Sequence, residues 1–238
     1  MNAAELYQEG RLDEAIEALG VALRDTPGDT RRRTFLFELL CFAGNYDRAE
    51  KQLDMLAREG KDAEMGALLY RGAIHAERLR QQMFEPGALF PASGPAPLVA
   101  GTLNGLPFTA LEDADPRIGA RLELFMAGQY TWLPLAQVES VKIEPPKRLR
   151  DLLWVPVIVR AAAGAAHMDM GEVLMPVLTP GAWKHRDPLV RLGRITEVED
   201  LDNGTAVPVG QKLFLMDGGE VPLLEIRELV ISPAAEAA

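Results

Sequence analysis

Few residues of this chain have the type and spacing for chemistry, and each has a plainer reading beside it. DADPR, residues 113–117, sets two carboxylates close together, as acid–base cleavage of a glycosidic bond would need. The same residues read more readily as a helix cap beside a proline turn. His167 stands near Asp169 and Glu172 in AAHMDMGE, a trio that could ligate a metal or simply hydrate a surface loop. The other histidines, His75 and His185, are remote from it. Cys41 lies between apolar neighbours in FELLCFAG, where a cysteine usually serves as a small core or groove residue. No GxSxG surrounds Ser93, Ser140 or Ser232. No GxGxxG follows a strand pattern and no GxxxxGK[ST] occurs, so the common phosphate cradles are absent. The expectation is a chain with no catalytic residues, no cofactor and no metal.

Charge narrows the partners. The formal net charge is −10 over 238 residues, and both halves of the chain are mildly acidic. Nucleic acid and anionic membrane surfaces attract clustered positive charge, which the chain lacks in bulk, so neither is expected as a partner. The basic runs are local. RRR (31–33) opens a helix after the cap-like GDT. KRLR (147–150) sits in EPPKRLRDLLWVPVIVR, where RLRDLL reads as a helical turn packing leucines and leading into a strand. Trp and Arg are the residue types enriched where partners bind tightly. A single cysteine, an acidic N-terminus and the lack of any long apolar run point to a cytoplasmic protein.

The elements that would hold these residues fall into two kinds. Residues 1–84 have helix periodicity, with helices expected at 2–9, 11–25, 30–43, 46–59 and 62–83. They also repeat. EGRLDEAIEAL aligns with AGNYDRAEKQL at an offset of 34, pairing Gly10 with Gly44, Asp13 with Asp47, Ala15 with Ala49 and Leu19 with Leu53. That period belongs to the tetratricopeptide (TPR) helix–turn–helix unit. No third match follows, so the last helix reads as a cap. Residues 85–98, rich in Pro and Gly, read as a linker. From 99 to 232 strand patterns dominate: a hairpin over 120–135 around Ala127-Gly128, then 140–144, 154–161, 172–178, 195–201, 211–216 and 222–229. Short helical turns are expected in 111–119 and 134–138. The tail 233–238 is expected to be disordered. The fold class is therefore multidomain α and β: TPR-like helical repeats followed by a β-rich α+β domain.

Three stretches, LYQEGRLDEAI, DADPRIGARLELFMAGQYTWLP and EPPKRLRDLLWVPV, resemble the ImpE family, also called TagJ or SciE-type proteins. RLGR (191–194) and GQKLFLMDG continue the likeness, which covers residues 1 to about 231. Lys61 replaces the proline of the first unit's turn, and the tail is alanine-rich, but neither touches the middle stretches. The resemblance implies a non-enzymatic, cytoplasmic accessory protein of type VI secretion. It implies binding to the N-terminal helix of the small contractile-sheath subunit (TssB/VipA-like) and a link to the ClpV ATPase that recycles contracted sheath.

A helical repeat can receive such a helix in a groove. The repeat register places Arg31, Thr34, Glu38, Cys41 and Phe42 on the inner face of the second unit. Arg148, Asp151 and Trp154 form a competing surface. On this reading Phe42→Ala or Trp154→Ala weakens partner binding and leaves the chain folded. Two other functions stay open. One is an enzyme whose site forms only in the folded C-terminal part. The other is a general TPR-type chaperone for a secreted effector. A concave pocket holding perturbed titratable groups would favour the enzyme, and an apolar groove without them the adaptor.

Overall fold

The computed structural model describes residues 1–85, 97–162 and 169–232. Most of the expected linker, the tail and His167 lie outside the described residues. Five helices open the chain: α1 (Ala3–Gln8), α2 (Leu12–Asp25), α3 (Thr30–Phe42), α4 (Tyr46–Leu56) and α5 (Lys61–Met83). Their starts are chemically marked. The Asn2 side chain accepts from the N–H groups of Ala4 and Glu5, and Glu5 accepts from the Asn2 N–H, a reciprocal cap. Asp29 accepts from the Arg32 N–H and caps α3. The helix ends repeat as the sequence does. Gly10 and Gly44 take φ of +79° and +66°. The Arg11 N–H then donates to the Leu6 carbonyl and the Asn45 N–H to the Leu40 carbonyl, at 2.9 and 2.8 Å. Of the arginine run, Arg33 donates to the Pro27 carbonyl and to Gln52, bracing the loop between α2 and α3.

Among the described residues thirteen strands follow: β1 (Gly101–Leu103), β2 (Leu106–Phe108), β3 (Leu111–Asp113), β4 (Arg121–Met126), β5 (Gln129–Pro134), β6 (Val138–Ile143), β7 (Trp154–Ala161), β8 (Asp169–Pro176), β9 (Glu197–Asp200), β10 (Ala206–Val209), β11 (Leu213–Met216), β12 (Gly219–Pro222) and β13 (Glu228–Ile231). They make an eight-stranded antiparallel sheet in the order β2-β1-β13-β6-β7-β8-β4-β5, a three-stranded sheet β12-β11-β3 and a ribbon β10-β9. Leu111, Leu122, Leu124, Val141, Val157 and Phe214 fill the space between the two larger sheets. Phe125, Trp154 and Leu174 instead join Phe37 and Tyr70 in the core beneath the helices. β4 thus buries side chains on both faces. The architecture is TPR-like helices followed by a sheet-rich part.

Several sequence expectations change. PLLEIREL was expected to be one strand. Pro222 ends β12, residues 223–225 form a 3-10 turn, and β13 joins the other sheet. The 111–119 stretch begins as β3 before a turn folded on Asp115. The helix α6 (Pro188–Arg191) and the strands β1, β2 and β10 had no clear pattern in sequence.

The segment 182–194 runs along the turn edge of the repeats and uses both repeat glycines. A Cβ on Gly44 would collide with the Trp183 ring, and one on Gly10 with Leu189. Arg191 pairs with Asp13. Arg194 donates to the carbonyls of Tyr7 and Gln8, 2.7 Å each, and covers the Tyr7 ring. RLGR therefore satisfies the open carbonyls at the end of α1, one of the places where a helix leaves acceptors unpaired.

Candidate docking groove

The two predicted partner surfaces face each other. The 3-10 turn Leu149–Leu152 and Trp154 pack onto α3 and α5, filling the inner face of the repeats. Trp154 stacks on Tyr70 with centroids 6.2 Å apart, and the Arg150 guanidinium lies over the same Tyr70 ring, 4.9 Å from its centroid. Arg150 also reaches Glu38 at 3.8 Å. Phe42 is 0%, Cys41 2% and Trp154 2% exposed. As free surface these three positions are corrected: the chain's own C-terminal part occupies the face that the repeat register left open. Glu38 and Asp151 are buried with them, Asp151 accepting from the N–H groups of Lys147 and Arg148. Arg31 is exposed, and Thr34 donates to the Thr30 carbonyl within α3.

Glu38 carries a pH prediction. Burial pushes its carboxyl up to about 7, against the pull of Arg150 and Arg148 and with the push of Asp151. An acid whose folded pKa is raised stabilises the fold while protonated. That contribution is lost as pH rises from its ordinary 4.5 through about 7. The gap is worth roughly 3 kcal/mol at 1.36 kcal/mol per pKa unit. Glu38→Gln is expected to gain stability over the wild type between about pH 5 and pH 8. Urea midpoints across that range measure the difference, and a constant difference would reject it.

The strongest titratable cluster is sealed in the core. Arg80 of α5 grips Glu123 of β4 through Nε and Nη2, at 2.7 and 2.9 Å. Arg80 also reaches Glu77 and the Leu178 carbonyl. Lys212 pairs with both Glu123 and Asp113, and Tyr130 donates to Glu123. Burial pushes Asp113 up to about 6. Burial would raise Glu123 too, but Arg80 and Lys212 outweigh it and hold that carboxyl well below the usual range. DADPR is explained here. Asp113 serves Lys212, and Asp115 accepts from the backbone and side chain of Arg117, organising the turn. These carboxylates are spent on neighbours and line no groove described below. His185 is likewise engaged: Nδ1 accepts from the Asp187 N–H, and Nε2 faces Glu199 and Glu197 at 3.3 and 3.5 Å.

An open groove of about 730 Å³ lies elsewhere, between the N-terminal half of α5 and the β4–β5 turn. Met65, Leu68, Leu69 and Gly72 form one wall, and Phe125 and Leu174 the floor. Helix geometry explains why α5 has apolar residues to spare. Ala67, Tyr70, Ala73, Ile74 and Glu77 make its buried stripe. Met65, Leu68, Leu69 and Gly72 make a second one at i, i+3, i+4 and i+7. Met65 is 70%, Leu68 64% and Leu69 51% exposed. The last helix of a repeat array normally turns a polar face to solvent. α5 instead stands where a third unit would begin, and among the described residues no second helix follows to cover this stripe. The β4–β5 hairpin covers only the rest of α5, meeting it where Gly72 and Gly128 approach backbone to backbone.

The hairpin turn is itself unusual. Asn104-Gly105, Ala127-Gly128 and Asp217-Gly218 all have positive φ at both residues. This is the type I′ pattern, for which Asn-Gly and Asp-Gly are the favoured pairs. Ala127, at φ +48°, has no polar side chain to support that backbone. Its left-handed conformation costs about 1–2 kcal/mol. The strained turn is the one that borders the groove.

Known proteins add the following. A family model described as ImpE protein matches residues 105–230, and a tetratricopeptide repeat model matches residues 6–71. The chain is 36% identical to the type VI secretion system accessory component TagJ of Pseudomonas aeruginosa. That alignment covers 98% of this chain and 92% of that protein. The crystal structure of protein VPA1032 from Vibrio parahaemolyticus superposes with a TM-score of 0.84 over 97% of each chain, at 23% identity, and shares the fold.

Proposed function

The chain belongs to the ImpE family, and from that premise we propose that it is a non-enzymatic accessory protein of type VI secretion that docks an amphipathic partner helix on α5. The observation that carries the reading is the exposed stripe Met65, Leu68 and Leu69 on the last repeat helix. The name of the TagJ relative supplies the system. An incoming helix with apolar residues at i, i+3, i+4 and i+7 would supply the second helix of the incomplete third unit. Burying each large side chain contributes about 1.5–3 kcal/mol before the cost of ordering the partner. The partner in this reading is the N-terminal helix of the small sheath subunit, met in the cytoplasm, with ClpV acting on the sheath afterwards. Among the described residues no helix is long and apolar enough to cross a membrane.

Calorimetric titration with a synthetic peptide from the N-terminus of the cognate small sheath subunit tests this. Saturable binding near 1 µM, about −8 kcal/mol, is expected. Leu68→Glu should weaken it at least tenfold and leave Tm unchanged, since that side chain is mostly in solvent. No heat at several temperatures, with the chain folded, would sink helix docking.

A further inference from the structure

We propose that Ala127 is a specificity-determining residue of the groove, kept as alanine at the expense of backbone strain because the docked helix needs an apolar, short side chain there. The inference rests on the helix-docking reading above. Three observations meet at this position. First, Ala127 lines the groove beside Leu68, Leu69 and Phe125. Second, its φ is +48°, a region that non-glycine residues without a polar side chain avoid. Third, the chain meets the same backbone demand twice more with a favoured residue, Asn104 at φ +51° and Asp217 at φ +50°.

Those two turns show what an unconstrained hairpin takes. The Asn104 carboxamide accepts from the Arg227 and Glu228 N–H groups, and the Asp217 carboxylate accepts from Thr109 and Ala110. Their side chains bind neighbouring strands. At 127 the neighbour is the groove, lined by Met65, Leu68, Leu69 and Phe125 with Arg71, His75 and Gln129 at its polar positions, so a carboxamide or carboxylate would set a polar group against the apolar face of a docked helix. Desolvating such a group without a hydrogen bond is costly, so it would reject the ligand. Residues in sparsely populated backbone regions cluster at ligand sites and persist where the surrounding structure over-determines them.

The experiment pairs Ala127→Asn with Ala127→Gly, measuring Tm and the Kd for the sheath-subunit peptide. Both variants relieve the backbone, and Tm should rise by about 2–4 °C in each. A127N should bind the peptide at least tenfold more weakly. A127G, which removes the methyl group but adds no polar group, should bind about fourfold more weakly, the loss of one buried methyl. Stability and affinity therefore move in opposite directions in A127N, which a merely structural role does not produce. A127N binding like the wild type would overturn the inference, as would an unchanged or lowered Tm, because the strain would then be absent. A wild type that gives no heat with the peptide would remove the docking reading itself, a result distinct from a wild type and A127N that bind equally.

Discussion

Glu123→Ala is expected to destabilise the chain by about 3–5 kcal/mol, the range for removing one partner of a buried charge pair. Glu123 is 1% exposed, with Arg80 and Lys212 equally buried. Its two oxygens receive Arg80, Lys212 and Tyr130 together. Truncation leaves the guanidinium with Glu77 at 3.2 Å and the Leu178 carbonyl at 3.0 Å, and the ammonium with Asp113 as its one remaining carboxylate. Neither cation can return to water without local opening, because each is only 1% exposed. Urea denaturation at pH 7 gives the value. A loss under 1 kcal/mol would mean that water reaches the site after truncation and that α5 is held to the sheet by its apolar contacts. The cluster joins β4, β11-flanking Lys212 and α5, so its loss should also lower the cooperativity between helices and sheet.

Trp154→Ala is expected to cost about 3–5 kcal/mol, as large-to-small changes of aromatic core residues do. The indole is 2% exposed, stacks on Tyr70 and donates to Glu77 at 3.4 Å. Phe42→Ala belongs to the same class, at 0% exposure. Neither should alter the peptide Kd at a temperature where the variant stays folded, because neither residue borders the α5 groove. Equilibrium unfolding and calorimetry on the same samples separate the two effects. A folded, stable W154A with weakened binding would restore the inner repeat face as the docking surface and remove α5 from that role.

The helices were legible because their signals are local. The cap-like GDT at Asp29 and the turn glycines at 10 and 44 act within a few residues of where they stand, and the 34-residue offset repeats them. The hairpin around Ala127-Gly128 and the turn before Trp154 were legible for the same reason. Sheet order was not. β13 lies between β1 and β6, pairing Leu229 with Leu103 and Glu228 with Lys142, long-range contacts that no short pattern encodes. The partner-binding residues on the inner face were placed by repeat register alone. Repeat register finds the face that usually binds, but the occupant, residues 149–154, comes from the same chain. The groove did leave a trace in EMGALLYRGAI: two apolar stripes on one helix, where a capping helix needs only one. Reading α5 simply as a cap hid the second stripe. Lys212 gave no sign at all, since a lysine between β-patterned residues is ordinarily solvated.

The insertion of Trp183 against Gly44 and of Leu189 against Gly10 has a consequence in time. A ribosome releases the repeat helices long before it makes the residues that fill their turn edge. At 5–20 residues per second, the roughly 110 residues between the end of α5 and Arg194 take on the order of 5–20 seconds to synthesise. Through that interval the nascent helices expose the sockets beside both glycines and the whole face awaiting Trp154. The newborn chain is then at its stickiest, and trigger-type holdases or premature guests would compete with the chain's own later half for the same seats.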